Sequence, residues 1–215
     1  VQWAIEQDAA KFLADANTLA EYQIVVLGRN ADAFLGDEAV ARLKKWLVEN
    51  DGSLVCFRGA PSARIGQRLG ELMPVEWTPS VESRFRAQWT VQGQSLHWLP
   101  TGPTEDLSGM PSLGTVSQPK LKPAAAVALA ASEKDAAGSV PLIAYRPLGG
   151  RVVTIEGAGM WRWAFLPPQY QQRDDVYSSL WRSLIRWLAS DVGLLPSQRM
   201  ALRTDRVSFR NDEPV

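Results

Sequence analysis

The chain has 215 residues, 46% of them hydrophobic and 21% charged, and its 23 Lys and Arg balance its 23 Asp and Glu. That composition belongs to a globular protein long enough to bury a sizeable core, as one domain or one domain with an appendage. Zero formal net charge removes both the basic surplus that drives nucleic-acid binding and the acidic surplus of a solvating tail, so no nucleic-acid partner is expected.

Residues 1–5, VQWAI, read as a short strand, and 7–21 as a helix or a helix plus loop with Phe12, Leu13 and Leu19 apolar. Residues 23–27, QIVVL, end at Gly28, and a β-branched run stopping at glycine fits a buried parallel strand. Asp37 is placed to N-cap the next helix, in which Val40, Leu43, Trp46 and Leu47 recur at helical spacing. Asp51-Gly52 ends it, and SLVCF at 53–57 is a second buried strand. Strand, helix and strand with short links predict a right-handed parallel crossover. A loop and short helix follow, with Leu69 and Leu72 covering the sheet.

Residues 75–123 are rich in Pro, Gly, Ser, Thr and Gln, and predict short antiparallel strands and loops. Residues 127–131 and 141–146 (PLIAYR) are further strands, split by the polar turn SEKDAAGS. Gly149-Gly150 is a hairpin turn that pairs RVVTIE at 151–156 back onto PLIAYR. Asp174-Asp175 then caps a helix with a stripe of Val176, Leu180, Trp181, Leu184, Trp187 and Leu188. The tail from 196 reads as the start of a separate β-rich domain after a unit spanning 1–195. Both ends fall in strand-like sequence, as in an excerpt of a longer protein.

Four segments carry a resemblance: YQIVVLG at 22–28, LKKWLVENDGSLVCFRG at 43–59, PLIAYRPLGGRVVTIEGAGMWRWAF at 141–165 and LWRSLIRWLA at 180–189. Together they resemble class I glutamine amidotransferase-like domains within larger, membrane-anchored bacterial proteins. The resemblance implies a three-layer, flavodoxin-like α/β fold, with a mainly parallel sheet and an antiparallel hairpin extension. It also implies neighbouring domains or a protein partner and a membrane segment elsewhere in the chain; the side of the membrane is left open, with the extracytoplasmic side favoured.

The catalytic pattern of that family is incomplete. Its nucleophilic cysteine stands in G-x-C-x-G, whereas Leu54 and Arg58 flank Cys56, which lies inside the apolar strand. Its late His-x-Glu pair has no counterpart: the single histidine, His97, is mid-chain with Leu99 two residues on. The expectation is therefore a non-catalytic domain serving interaction or ligand sensing. A cysteine-dependent amidotransferase or hydrolase using Cys56 and His97 is the alternative, and a carbohydrate- or peptide-binding module using exposed tryptophans of 75–123 is a third. One cysteine and one histidine are too few for a Cys/His zinc site of the usual type, and no D-x-D loop with ligand spacing appears; no metal or cofactor is assigned. The carboxylate pairs Glu105-Asp106 and Asp174-Asp175 lack partners for glycosidase-type chemistry.

In open parallel sheets ligands bind beyond the carboxyl ends of the strands. Those ends supply the binding candidates Arg29, Asn30, Arg58, Gly59, Gly157 and Gly159, and the two arginines make the edge receptive to an anion. Gly157-Ala158-Gly159 reads either as a backbone anion nest or as a tight turn. If the strand continues past it, Trp161 and Trp163 share a side with Arg162 opposite. Trp161, Arg162 and Trp163 are the candidates for partner contact.

Overall fold

The structure, a computed structural model, describes residues 6–98, 107–123, 126–132 and 140–190. The expected strand at 1–5, the Glu105-Asp106 pair, most of the polar turn after 132 and the tail from 196 lie outside the described residues.

The chain opens with α1 (Glu6–Ala14) and α2 (Ala16–Ala20). Asp15 separates them by accepting the Asn17 N–H and the Thr18 hydroxyl, an N-cap that starts the second helix. Next come β1 (Ile24–Leu27), α3 (Asp37–Glu49) and β2 (Ser53–Phe57). β1 and β2 pair in parallel, with Ile24 opposite Ser53 and Leu27 opposite Cys56, as the crossover pattern predicts. Gly36 rather than Asp37 is the N-cap of α3. Asp37 and Glu38 fall inside the first turn and act there through the helix dipole.

After α4 (Gln67–Leu72) the chain builds β3 (Val75–Phe85), β4 (Ala87–Trp89) and α5 (Val91–Gln94). It continues through β5 (Leu113–Leu121), β6 (Val127–Ser132), β7 (Pro141–Leu148) and β8 (Gly150–Ile155), and ends in α6 (Asp175–Ala189). The six-stranded sheet has the order β1-β2-β8-β7-β6-β4, and β3 pairs with β5 in a separate antiparallel ribbon. β1, β2 and β8 are mutually parallel neighbours, while β7, β6 and β4 are added by antiparallel pairing. The antiparallel part is thus larger than a hairpin. Its extra strand, β4, comes from the polar 75–123 region, whose short alternating run is too brief to announce its partner.

Alternation along the strands divides the core in two. From β2 and β8, Leu54, Cys56 and Val152 face α3, α4 and the first helices, among Leu13, Leu43, Trp46, Leu47 and Leu69. Val55, Val153 and Ile155 face α6, among Val176, Leu180, Leu184, Trp187 and Leu188. The sheet is therefore covered by helix on both faces, and the α/β architecture expected from the sequence holds. At the amino ends of the parallel strands Arg151 stacks 4.1 Å over the Trp187 ring and donates to the Trp187 carbonyl, satisfying an end of α6. The Ser53 hydroxyl donates to the Leu188 carbonyl at 3.3 Å beside it. No described helix is long and apolar enough to cross a membrane.

Gly149 turns the β7–β8 hairpin at φ +71°, and a Cβ there would run into the Leu47 backbone at the end of α3. Both the left-handed backbone and the collision oppose a side chain. Gly149→Ala is expected to lose at least about 2 kcal/mol of stability, read as a lower urea midpoint.

Candidate site at the carboxyl ends of the parallel strands

Three loops meet where β1, β2 and β8 end. The first carries Gly28, Arg29 and Asn30; the second Arg58 and Gly59; the third Glu156 through Gly159. The first two are stitched together. The Arg29 Nε–H donates to the Arg58 carbonyl at 2.6 Å, and the Ala31 N–H to the Pro61 carbonyl at 2.9 Å. Asp32 accepts the Ala63 N–H and the Ser62 hydroxyl, and these bonds hold its carboxyl below the usual carboxylate range. The second loop joins the third through the Gly59 N–H, which donates to the Ile155 carbonyl at 3.0 Å. Asn30 and Arg58 hold positive φ, +62° and +73°, as non-glycine residues, a strained conformation that costs of order 1–3 kcal/mol each and gathers at functional edges.

Glu156 lies at the centre. Period-two alternation from Val152 through Thr154 points it to the α3 face, and it is only 1% exposed. One carboxyl oxygen, Oε1, accepts the indole N–H of Trp77, which reaches across from the β3–β5 ribbon. The other, Oε2, is buried without a hydrogen-bond partner. Gly59, at φ +90°, lies directly against it: a Cβ there would stand 2.9 Å from Oε2. Burial pushes the carboxyl up to about 7, against the opposing pull of the Trp77 bond and the Arg29 charge. Glu156 can therefore hold and release a proton near neutrality, which is the acid–base range an active or binding site uses.

The ribbon is fastened to the third loop a second time. Gly114 and Ala158 exchange both backbone hydrogen bonds, at 3.0 and 2.7 Å. The Leu113 side chain packs on Gly157, where a Cβ would come within 2.8 Å of it. Gly157-Ala158-Gly159 is thus a tight turn, held by the ribbon through the Ala158 N–H.

The structure does not bring Cys56 and His97 together. Cys56 is fully buried in β2 on the α3 face, its thiol 3.6 Å from the Met73 sulfur. Burial, and then the Glu156 charge, pushes that thiol up to about 12, so it is no ready nucleophile at neutral pH. His97 follows α5, which adjoins β6, and the next residue, Trp98, packs in the core on the α6 face. β8 and β7 lie between β2 and β6, about 14 Å at ordinary strand spacing. Among the described residues no group of three His, Cys, Asp or Glu could hold a metal ion.

Trp161 and Trp163 do not share a side. Strand geometry stops at Ile155, and Met160–Ala164 forms a 3-10 turn entered through Gly159 at φ +93°. Trp163 is buried, with its indole N–H on the Pro111 carbonyl at 2.8 Å, and belongs to the core. Trp161 is 56% exposed and Phe165 76%, with the Arg162 guanidinium 6.0 Å from the Trp161 ring centre.

Sequence reasoning named the loops that meet here but not Glu156 between them. Glu156 had a usable signal, a lone acid on the inward phase of the apolar run RVVTIE, immediately before a glycine. Trp77 had none, because nothing in 75–123 fixes where the ribbon crosses.

No protein-family model matches the chain, and no curated protein does. Solved structures that match the chain include a beta-galactosidase from Rahnella sp. R3, at 14% identity over 76% of this chain and 23% of that one, TM-score 0.44. A catalytic mutant of Gan42B, a GH42 beta-galactosidase from G. stearothermophilus, matches at 19% identity over 76% of this chain and 22% of that one, TM-score 0.42. The exo-beta-1,4-mannosidase Op5Man5 from Opitutaceae bacterium strain TAV5 matches at 14% identity over 83% of this chain and 31% of that one, TM-score 0.46. The chain thus spans 22% to 31% of the length of these structures.

These matches are glycoside hydrolases, not glutamine amidotransferases. They correct the amidotransferase-like attribution, and with it the reading as an inactive amidotransferase module. The physical reason is visible in the segments that suggested it. A strand ending in glycine, a glycine-led strand, a hairpin and a closing helix are the punctuation of α/β sheets generally and carry no site chemistry. At these TM-scores the likeness assigns no activity and no substrate to this chain.

Two outcomes follow from the buried groups. Alkylation of Cys56 is expected to be blocked in the native protein from pH 6 to 9 and to proceed only on unfolding; rapid native labelling at pH 7 contradicts this. Glu156 binds its proton more tightly folded than unfolded. Its favourable contribution is therefore complete below about pH 4.5 and lost as pH rises through about 7. Glu156→Gln should remove this loss, gaining up to about 3 kcal/mol on the wild type at pH 8 relative to pH 4.5. Urea unfolding of both proteins across that range measures it.

Proposed function

We propose that the chain is a small-ligand-binding α/β domain whose ligand carries an acidic group and sits beyond the carboxyl ends of β1, β2 and β8. One observation carries the reading: the Glu156 carboxyl is buried at that edge, beside Arg29, with an oxygen left unpartnered. A buried polar atom without a partner costs about 1–3 kcal/mol, and such a group is kept where something uses it. In this reading Arg29 and Arg58 take the acidic group. Asn30 and Gly159 leave backbone at the surface of this edge, and Glu156 shares a proton with the ligand. The fixed Arg29 side chain supports the reading further, because a guanidinium held in advance loses less freedom on binding.

The same reading takes the fold as three-layer and flavodoxin-like. Helices on both faces of a parallel β1-β2-β8 unit support that, as does a ligand edge at the carboxyl ends of its strands. Cys56 has no part in this chemistry.

Titration of the labelled protein with inorganic phosphate, acetate and citrate tests the proposal. Amide shifts are expected at 28–31, 58–59 and 157–159, larger at pH 6 than at pH 8, where Glu156 has lost its proton. Exchanging Arg29 and Arg58 together for Gln should weaken binding at least about tenfold, the effect of losing charged hydrogen bonds. Unchanged affinity in that double variant, or shifts confined to other surfaces, would remove this edge as the binding site.

A further inference from the structure

We infer that the Trp77 indole is a gate over Glu156, shut by its own hydrogen bond to the carboxyl and opening to admit solvent or ligand to Oε2. The inference concerns access to the edge described above and rests on its being a binding site.

Four observations place the gate. Trp77 belongs to the β3–β5 ribbon, which is not hydrogen-bonded into the six-stranded sheet. Its ring is half-buried, whereas the group it covers is buried. On the other sides Glu156 is enclosed by parts that cannot swing away: Gly59 against Oε2, the β8 backbone itself, and Cys56 on the same face of β2. Below it, the Glu156 N–H is fixed on the Leu142 carbonyl at 2.7 Å. The indole, partly buried against the α3-face core and bonded to Oε1, is thus a covering group whose side chain can rotate outward without breaking the sheet.

The charge on Glu156 sets the balance. With the indole in place, an ionised carboxylate keeps one oxygen dry and unpaired. With the indole turned out, water reaches both oxygens. The groups facing Glu156 leave this contrast intact. Arg29 supplies a guanidinium charge, burial keeps Cys56 a neutral thiol, and the Trp77 indole carries no titrating proton. The closed form binds the proton more tightly than the open form, so opening increases as pH rises and levels off once the closed form has itself ionised. The hydrogen bond from Trp77 works against opening, but its effect is already contained in the raised affinity of the closed carboxyl for its proton.

The test is exchange of the indole N–H with water, followed by NMR on the full chain without added ligand. The Trp77 resonance is assigned by its loss in Trp77→Phe. The Trp163 indole, bonded to the Pro111 carbonyl in the core, is the internal reference that cancels the ordinary pH dependence of exchange. The Trp77-to-Trp163 rate ratio is expected to rise at least about tenfold from pH 5 to pH 8. In Glu156→Gln, which keeps the shape and removes the charge, the ratio should stay at its pH 5 value. A ratio constant with pH in the wild type overturns the gate, and so does an unchanged pH profile in Glu156→Gln. Because the wild-type ratio is decisive alone, the test survives a variant that folds poorly. It also separates the two ideas: a flat ratio with phosphate still bound rejects the gate and keeps the site, and a rising ratio without binding does the reverse.

Discussion

The two-sided burial of β2 and β8 is the constraint from which the rest follows. Each strand sends alternate side chains into a helical layer on either face, so neither can shift by one residue without exchanging its cores. That fixes the parallel register from Leu54 opposite Val152 to Phe57 opposite Ile155. It thereby decides which residues emerge together at the carboxyl ends. Arg58 and Glu156 come side by side because the apolar residues behind them have no other place to go. The site is in this sense a by-product of core packing, with the ribbon laid over it.

What lies over the sheet end is polar and costly where the core is apolar and favourable. Glu156 loses water without gaining an ion pair, two non-glycine residues hold left-handed backbone, and glycines stand where a Cβ would strike a neighbour. Each is a local departure from what would make the chain most stable. Such departures are tolerated only where surrounding structure outweighs them. The paired loops at Arg29–Arg58, Ala31–Pro61 and Asp32–Ser62 supply that support.

Legibility in the sequence followed this division. The long periodic segments were readable. α3 with Val40, Leu43 and Leu47, α6 with Leu180, Leu184 and Leu188, and the hairpin at Gly149 each announce themselves through spacing or turn chemistry. Which loops meet at the carboxyl ends of the parallel strands was readable, because strand ends follow from strands. What was not readable depended on contacts far apart in the chain. Nothing near Trp77 marks Glu156 as its acceptor. The 3-10 turn that separates Trp161 from Trp163 is imposed by Gly159 and by a Trp163 bond to Pro111. The family attribution failed for the opposite reason, since it rested on local punctuation that many α/β chains share.

The position of β8 has a consequence for how the chain comes to be folded. It lies between β2 and β7 in the sheet, yet it is the last strand in the described sequence. Until residue 155 has been made, β2 and β7 have no common neighbour, and each presents an open, apolar strand edge of the kind that pairs with other chains. The β1–α3–β2 unit can form early from near neighbours, but joining it to the antiparallel half must wait for a closure spanning most of the domain. A nascent or truncated chain ending before the Gly149 turn would thus be two half-sheets in search of a centre, soluble only while something else shields them.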